Sequence, residues 1–391
     1  MTWKAMPALL LAGVALAWSC QASADAAGRP GKAGAEKGEL VYLGTHGAQL
    51  RAARFDARSG VLTDIGVVAE DGRPTWAVAH PHLPMIYVTD EAGNDGQSNG
   101  HVLAYRIDAA TGALRLVSKV DAGGGGTTFL SLDPHGGTLV AANYGGGSVA
   151  TFPVQADGAL GPRASLVQDH GTGPHRRQKS PHAHAAIVAP GGRALLVADL
   201  GADRVFVYPF DPMRHEAQAP RPGSAGDYVA PPGSGPRHMV AARDGRFLYL
   251  LDELNADLVT LRWDAGAGHL SPVDEQPTRS SDALGESSGS ELALSRDGRF
   301  LYAGNRSEGM LLAYALDKPS GKATLVQRIA SGGKVPWSFA LSPDGRWMLV
   351  ANEQSDEIRV FAVDARSGRL TATDKQLQTP HPVSITFASV R

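Results

Sequence analysis

RHMVAARDGRFLYLLDELNADLVTLRWD (237–264), SELALSRDGRFLYAGNRSEGMLLAYALD (290–317) and WSFALSPDGRWMLVANEQSDEIRVFAVD (337–364) are three copies of one unit. In each, a short alternating run ends in an Asp-Gly-Arg turn. A second apolar run follows (FLYLLDE, FLYAGNR, WMLVANE), then a polar loop and a third run closing on Asp. Fainter copies stand at 182–208 (HAHAAIVAPGGRALLVADLGADRVFVY), 128–152 (TFLSLDPHGGTLVAANYGGGSVATF) and 76–90 (WAVAHPHLPMIYVTD), the last continued by HVLAYRID at 101–108. Short runs bounded by Gly, Asp, Asn and Pro are strand and hairpin signals, and they leave no room for crossover helices. With a more variable fourth segment, each unit is a four-stranded blade, and the repeat predicts a β-propeller.

The units start at Pro74, Thr127, Pro181, Pro236, Gly289, Pro336 and Pro382, which makes seven blades at a mean period of about 51 residues. The last holds a single strand, 382–387. Its missing strands are supplied by 40–43 and 50–56, so the two ends of the chain close the ring in one blade and leave no free sheet edge. The expected fold is an all-β, seven-bladed propeller of four-stranded antiparallel blades over 39–391. Residues 170–180 (HGTGPHRRQKS) and 211–232 (DPMRHEAQAPRPGSAGDYVAPP) fall outside the period and are assigned to loops.

The chain has 391 residues, with 37 Lys and Arg against 39 Asp and Glu, a formal net charge of −2. That balance argues against a nucleic-acid partner, which calls for a basic face. The one cysteine, Cys20, excludes an internal disulfide and a thiolate metal cluster. Lys4, the apolar run 5–18 and Ala22-Ser23-Ala24 read as an export signal, residues 1–24, cleaved after Ala24. The run is too short for a comfortable membrane span; acylation at Cys20 is the alternative. Residues 25–38 read as a flexible linker. The expectation is a soluble, monomeric, periplasmic or secreted domain.

In a four-stranded meander the start of the first strand and the end of the second lie at the same end of the ring. The Asp-Gly-Arg turns (244–246, 297–299, 344–346) lie at the other end and read as structural, Gly supplying the turn dihedrals and Asp capping the backbone. The functional mouth is therefore expected to carry His182, His184, Arg237, His238, Glu291 and Trp337 from first strands. From the ends of second strands it should carry Asn143, Tyr144, Asp199, Glu253, Asn305, Arg306, Asn352 and Glu353. Convergent polar groups in a concave pocket are a binding-site hypothesis; strand-end satisfaction and a wet channel are the competing account. His182 and His184, two residues apart on a strand, should point the same way.

At these residues the sequence resembles the seven-bladed propeller lactonases, which include bacterial 6-phosphogluconolactonases and the fungal carboxy-cis,cis-muconate cyclase. PHAHAAIVAPGGRALLVADLGADRVFVY, GSGPRHMV, LLDEL, ANYGGGSVA and SELALSRDGRFLYAGNR carry the resemblance, which covers about residues 40–388. It implies a metal-independent site formed by a His of PHAH (His182 or His184), Arg237, Glu253 and Arg306, with no cofactor and a small lactone as partner. The chemistry is coherent. Water attack on a lactone carbonyl builds negative charge that guanidinium groups stabilise, and a His or Glu near its working pKa accepts the proton. His-x-His is also a zinc pattern, but no third ligand stands at a fixed spacing, His175 and Glu253 being the candidates.

The sequence departs from the family at Thr127-Thr128-Phe129-Leu130, where many relatives have Pro and His. It departs again at Pro336-Trp337-Ser338, where an Arg-Asn pair is common. Both departures lie on the expected mouth, so a different substrate is expected there; the export signal points toward a non-phosphorylated sugar lactone or another cyclic ester. The base is His184 or Glu253, and the substrate-binding candidates are Asn143, Asp199, His238, Glu291 and Glu353. The alternatives are a non-catalytic envelope scaffold, with Trp76 and Trp337 on its rim, and a lactonising cyclase acting on a dicarboxylate. The basic stretch His175-Arg176-Arg177 is a candidate anion binder, but a solvated loop is the favoured reading.

Overall fold

The computed structural model describes residues 38–219 and 226–388. The export signal, Cys20 and the linker apart from Gly38 lie outside the described residues. Among those described, no helix is long and apolar enough to cross a membrane.

Seven antiparallel sheets follow one another along the chain. Blade 1 is assembled from both termini: Pro382–Ala388 is innermost and pairs with Glu39–Thr45, followed by Leu50–Asp56 and Val61–Ala69. The innermost strands of blades 2 to 7 are Ala77–Ala79, Thr127–Leu132, Ala183–Val188, Pro236–Ala241, Gly289–Leu294 and Pro336–Leu341. All-β architecture, blade number and closure agree with the repeat.

Second strands such as Met85–Asp90, Ala194–Asp199 and Phe247–Asp252 are buried along their whole length. Flanking blades cover both of their faces, hence continuous apolar runs rather than alternation. Outer strands are more exposed, and Leu370–Gln378 alternates with solvent along most of its length. The core is correspondingly divided into seven apolar clusters, each between two neighbouring blades, and the last joins blades 7 and 1 through Val41, Leu43, Leu349 and Ala351.

One expectation needs correction. The 211–232 insertion is not all loop: Glu216–Ala217 pairs with Phe210-Asp211, and Tyr228–Val229 with Arg204-Val205. Blade 4 thus has its outer strand in two fragments. The 170–180 insertion contains no strand.

Candidate active site

A repeated irregularity builds the mouth of the ring. In blades 3, 4, 5, 6 and 7 the innermost strand opens with a β-bulge, where extra residues face a single partner position on the second strand. In blades 3, 4, 5 and 7 the bulged residue is Thr128, His184, Arg237 and Trp337, and all four line one cavity of about 140 Å³. A bulge re-aims a side chain that a regular pleat would turn away, so consecutive residues Arg237 and His238 both reach it.

The residue just after the second strand supplies the rest. In all seven blades its N–H donates to a carbonyl ahead of the innermost strand of the same blade: His46 to His381, Glu91 to Arg73, Tyr144 to Gly126, Leu200 to His182, Glu253 to Gly235, Arg306 to Ser288 and Glu353 to Val335. Of this ring, His46, Glu91, Tyr144, Glu253 and Arg306 line the cavity.

Glu253 is its electrostatic centre. Its carboxylate, 2% exposed, accepts from Arg237 Nε (3.0 Å) and from Arg177 Nη1, and forms an ion pair with Arg306 Nη2 (2.8 Å). Burial opposes its ionisation, but Arg306, Arg237 and Arg177 together override burial and hold the carboxyl far below the usual range. Burial and the adjacent Arg306 push Arg237 down to about 10. Three guanidinium groups on one carboxylate leave an excess of positive charge. Arg306 Nη1 is buried without a hydrogen-bond partner, and the same guanidinium lies 4.1 Å from the centroid of the Trp337 ring.

Two imidazoles lie beside this cluster, edge to face at 5.2 Å. His238 donates from Nδ1 to Glu291 Oε1 (2.8 Å), and Glu291 is itself held by Ser338 Oγ (3.0 Å) and the Leu292 N–H. With Nδ1 protonated, Nε2 is the acceptor. Burial lowers the His238 pKa, with the Glu291 carboxylate working in the other direction. His184 Nε2 is 3.7 Å from Glu253 Oε2. Burial, then Arg237 and His238, push the His184 pKa well below 6.5, so this ring is neutral at neutral pH.

The sequence candidates therefore separate. His184, Arg237, His238, Glu253 and Arg306 share the cavity. Glu291 stands behind His238. His182 does not line the cavity: its ring stacks on Tyr144 (4.5 Å) and its Nδ1 bonds the Tyr144 carbonyl (2.8 Å). The expectation that both PHAH histidines point the same way fails because the bulge at His184 breaks the two-residue alternation. Asn143 is a buried strut, bonded to Thr127, Ala122 and Ser148. Asp199 caps the His182 and Ala202 N–H groups, and burial raises its carboxyl pKa. Glu353 ties His46 to His381 across the closing blades.

Arg177 is one of the residues that the sequence reading did not place in the site. Rather than lying solvated, it reaches in from the off-period insertion to bond Glu253 and the Tyr144 hydroxyl (2.9 Å); Arg176 beside it pairs with Glu286 at the surface. The available signal was its place four residues before the start of the PHAH segment. Glu91 and His46 were missed because the register was not extended to the two faintest blades. Trp76 and Trp337 are half-buried cavity walls rather than a free aromatic rim; Trp76 Nε1 donates to the Leu130 carbonyl (3.0 Å). Among the described residues no His, Cys, Asp and Glu group of three or more could hold a metal ion.

A sequence model described as "Lactonase, 7-bladed beta-propeller" matches residues 40–387. The 6-phosphogluconolactonase of Bacillus subtilis (strain 168) is 29% identical over 305 residues, 77% of this chain and 84% of that protein. The protein of that name from Formosa agariphila is 27% identical over 296 residues, 75% and 82% of the two chains. The solved structure of the Pseudomonas aeruginosa periplasmic gluconolactonase PpgL superposes with a TM-score of 0.83 at 34% identity, covering 90% of this chain and 99% of that one. The chain belongs to the seven-bladed β-propeller lactonases, a family of lactone-hydrolysing enzymes.

Proposed function

We propose that the cavity hydrolyses a sugar lactone without a metal, with the arginine cluster as its anion site and His238 as general base. The observation that carries this reading is the convergence of Arg177, Arg237 and Arg306 on the single carboxylate of Glu253. A lactone carbonyl lodged against the guanidinium groups meets charge already in position, which is where catalytic electrostatics are most effective. Water attacks the carbonyl carbon and gives its proton to His238 Nε2. The acyl–oxygen bond then breaks, and the imidazolium returns the proton to the departing ring alkoxide. The product is a hydroxy acid whose carboxylate stays against the arginines until release.

This assignment narrows the sequence expectation. Glu253, pinned by three cations, is a poor proton acceptor; its role is to hold the guanidinium groups together. His184 stays neutral between His238 and Glu253 and limits the positive charge of the pocket. His238, oriented by a carboxylate from behind, has the arrangement a base requires.

We further propose that the enzyme works in the cell envelope after removal of residues 1–24. Support comes from the charged-apolar-small pattern of that segment and from the description of the Pseudomonas aeruginosa relative as periplasmic. The activity test uses the chain from residue 25 onward with D-glucono-1,5-lactone, acid release being followed against the uncatalysed rate. Arg306→Ala and Arg237→Ala should each remove most of the excess rate; full activity in both would overturn the site. Mature protein starting at Asp25 in an osmotic-shock fraction tests export.

A further inference from the structure

The ring of residues that follow the second strands contains two glutamates in the cavity wall, and their surroundings are opposite. Glu253 in blade 5 sits under three arginines. Glu91 in blade 2 occupies the equivalent backbone position, its N–H bonded to the Arg73 carbonyl (3.0 Å) as Glu253 is to Gly235 (2.7 Å). The Glu91 side chain receives one hydrogen bond, from Asn94 Nδ2 (2.8 Å). No cation pairs with it among the described residues. Blades 2 and 5 are three apart in a ring of seven, as nearly facing as the ring allows. The cavity therefore has a cationic wall, from blades 4 to 6, and a facing wall of Thr75, Trp76, Glu91, Asn94 and Thr128.

Resting on the lactone-hydrolase reading, we infer that Glu91 is a specificity residue that selects a neutral polyhydroxylated lactone over one bearing a phosphate. The ester end faces the arginines, where charge develops. The hydroxyl-bearing tail then lies against Glu91 and Asn94, acceptor and donor groups suited to hydroxyls. A phosphate on that tail would meet an unpaired carboxylate in a half-enclosed cavity, where like charges repel more strongly than in bulk water. A ligand turned round to give its phosphate to the arginines would take its ester away from them. Specificity thus comes from a repulsive element as well as attractive ones.

The test is the ratio of kcat/KM for D-glucono-1,5-lactone to that for its 6-phosphate, in the mature chain and in Glu91→Gln and Glu91→Lys. The ratio is internal to each variant and independent of how much protein folds. The mature chain should favour the neutral lactone by about tenfold or more, a modest like-charge effect. Glu91→Gln should cut the preference several-fold, chiefly through KM of the phosphorylated substrate, and Glu91→Lys should reverse it. The same ratio in all three proteins overturns the inference. Calorimetric binding of D-gluconate and 6-phospho-D-gluconate reads the discrimination without turnover. Absence of hydrolysis with the binding preference intact would therefore sink the proposed activity and leave Glu91 as the selector. Equal binding of both acids by all three proteins would sink the inference alone.

Discussion

The two ends of the propeller handle charge in contrasting ways. At the end carrying the Asp-Gly-Arg turns the Asp and the Arg of each turn answer one another. Arg246, Arg299 and Arg346 pair with Asp244, Asp297 and Asp344, at 2.7, 2.6 and 2.7 Å. Each also donates to a carbonyl of the adjacent blade: Lys318, Ala365 and Ala57. The intervening glycines, at φ of +71°, +67° and +74°, adopt the left-handed turn that a side chain disfavours. These exposed contacts are staples between blades. At the mouth, cations from three segments far apart in sequence are gathered on one buried carboxylate and outnumber it. A repeated motif that satisfies itself locally marks structure; an unrepeated set left out of balance marks the site.

The sharpest way to break that contrast is Glu253→Gln. Removing the shared carboxylate leaves buried guanidinium groups uncompensated, a change that costs about 3–5 kcal/mol. Lactone turnover should vanish, and chemical denaturation should register the loss; a stable variant would mean that the cluster is not held by Glu253. Next in size is Arg306→Ala. Its guanidinium has a free buried N–H, so kcat should fall by about 10²–10³ with the melting temperature little moved.

His238→Ala should lower kcat by about 10²–10⁴, the usual contribution of a positioned base, and by more than His184→Ala. The pH profile sharpens this point. Both imidazoles are depressed below their ordinary 6.5, so kcat/KM should hold level through pH 6.5 and fall only on a more acidic limb. Stability has the same sign. Below pH 6.5 the unfolded chain takes up protons that the buried rings refuse, so the folded state weakens as pH drops. A limb centred above 6.5 would reject the assignment of the base.

The smallest effect belongs to the opposite end. Arg299→Ala should cost about 0–1 kcal/mol, as exposed ion pairs do, with lactone turnover unchanged. A loss of activity there would erase the distinction between the two ends.

Much of this was legible in the chain. The spacing of FLYLLDE, FLYAGNR and WMLVANE reports strands covered on both faces, and the period fixes where each second strand emerges; that is why Glu253 and Arg306 could be named in advance. Asn143 and Asp199 share the same period but stop one residue short of the mouth, where they brace backbone instead. That single-residue difference separates strut from site, and composition does not reveal it.

By itself the sequence determined the blades, their number, the closure through both termini and the end of the ring where titratable groups gather, because hydrophobic periodicity and turn residues act locally and recur. Only the tertiary structure decided which histidine enters the cavity, that Arg177 folds in from its insertion, and that Glu253 and Glu91 line one cavity with different partners. Those outcomes depend on β-bulges that reset alternation and on neighbours contributed by other blades, and neither is a property of a residue's own stretch of chain.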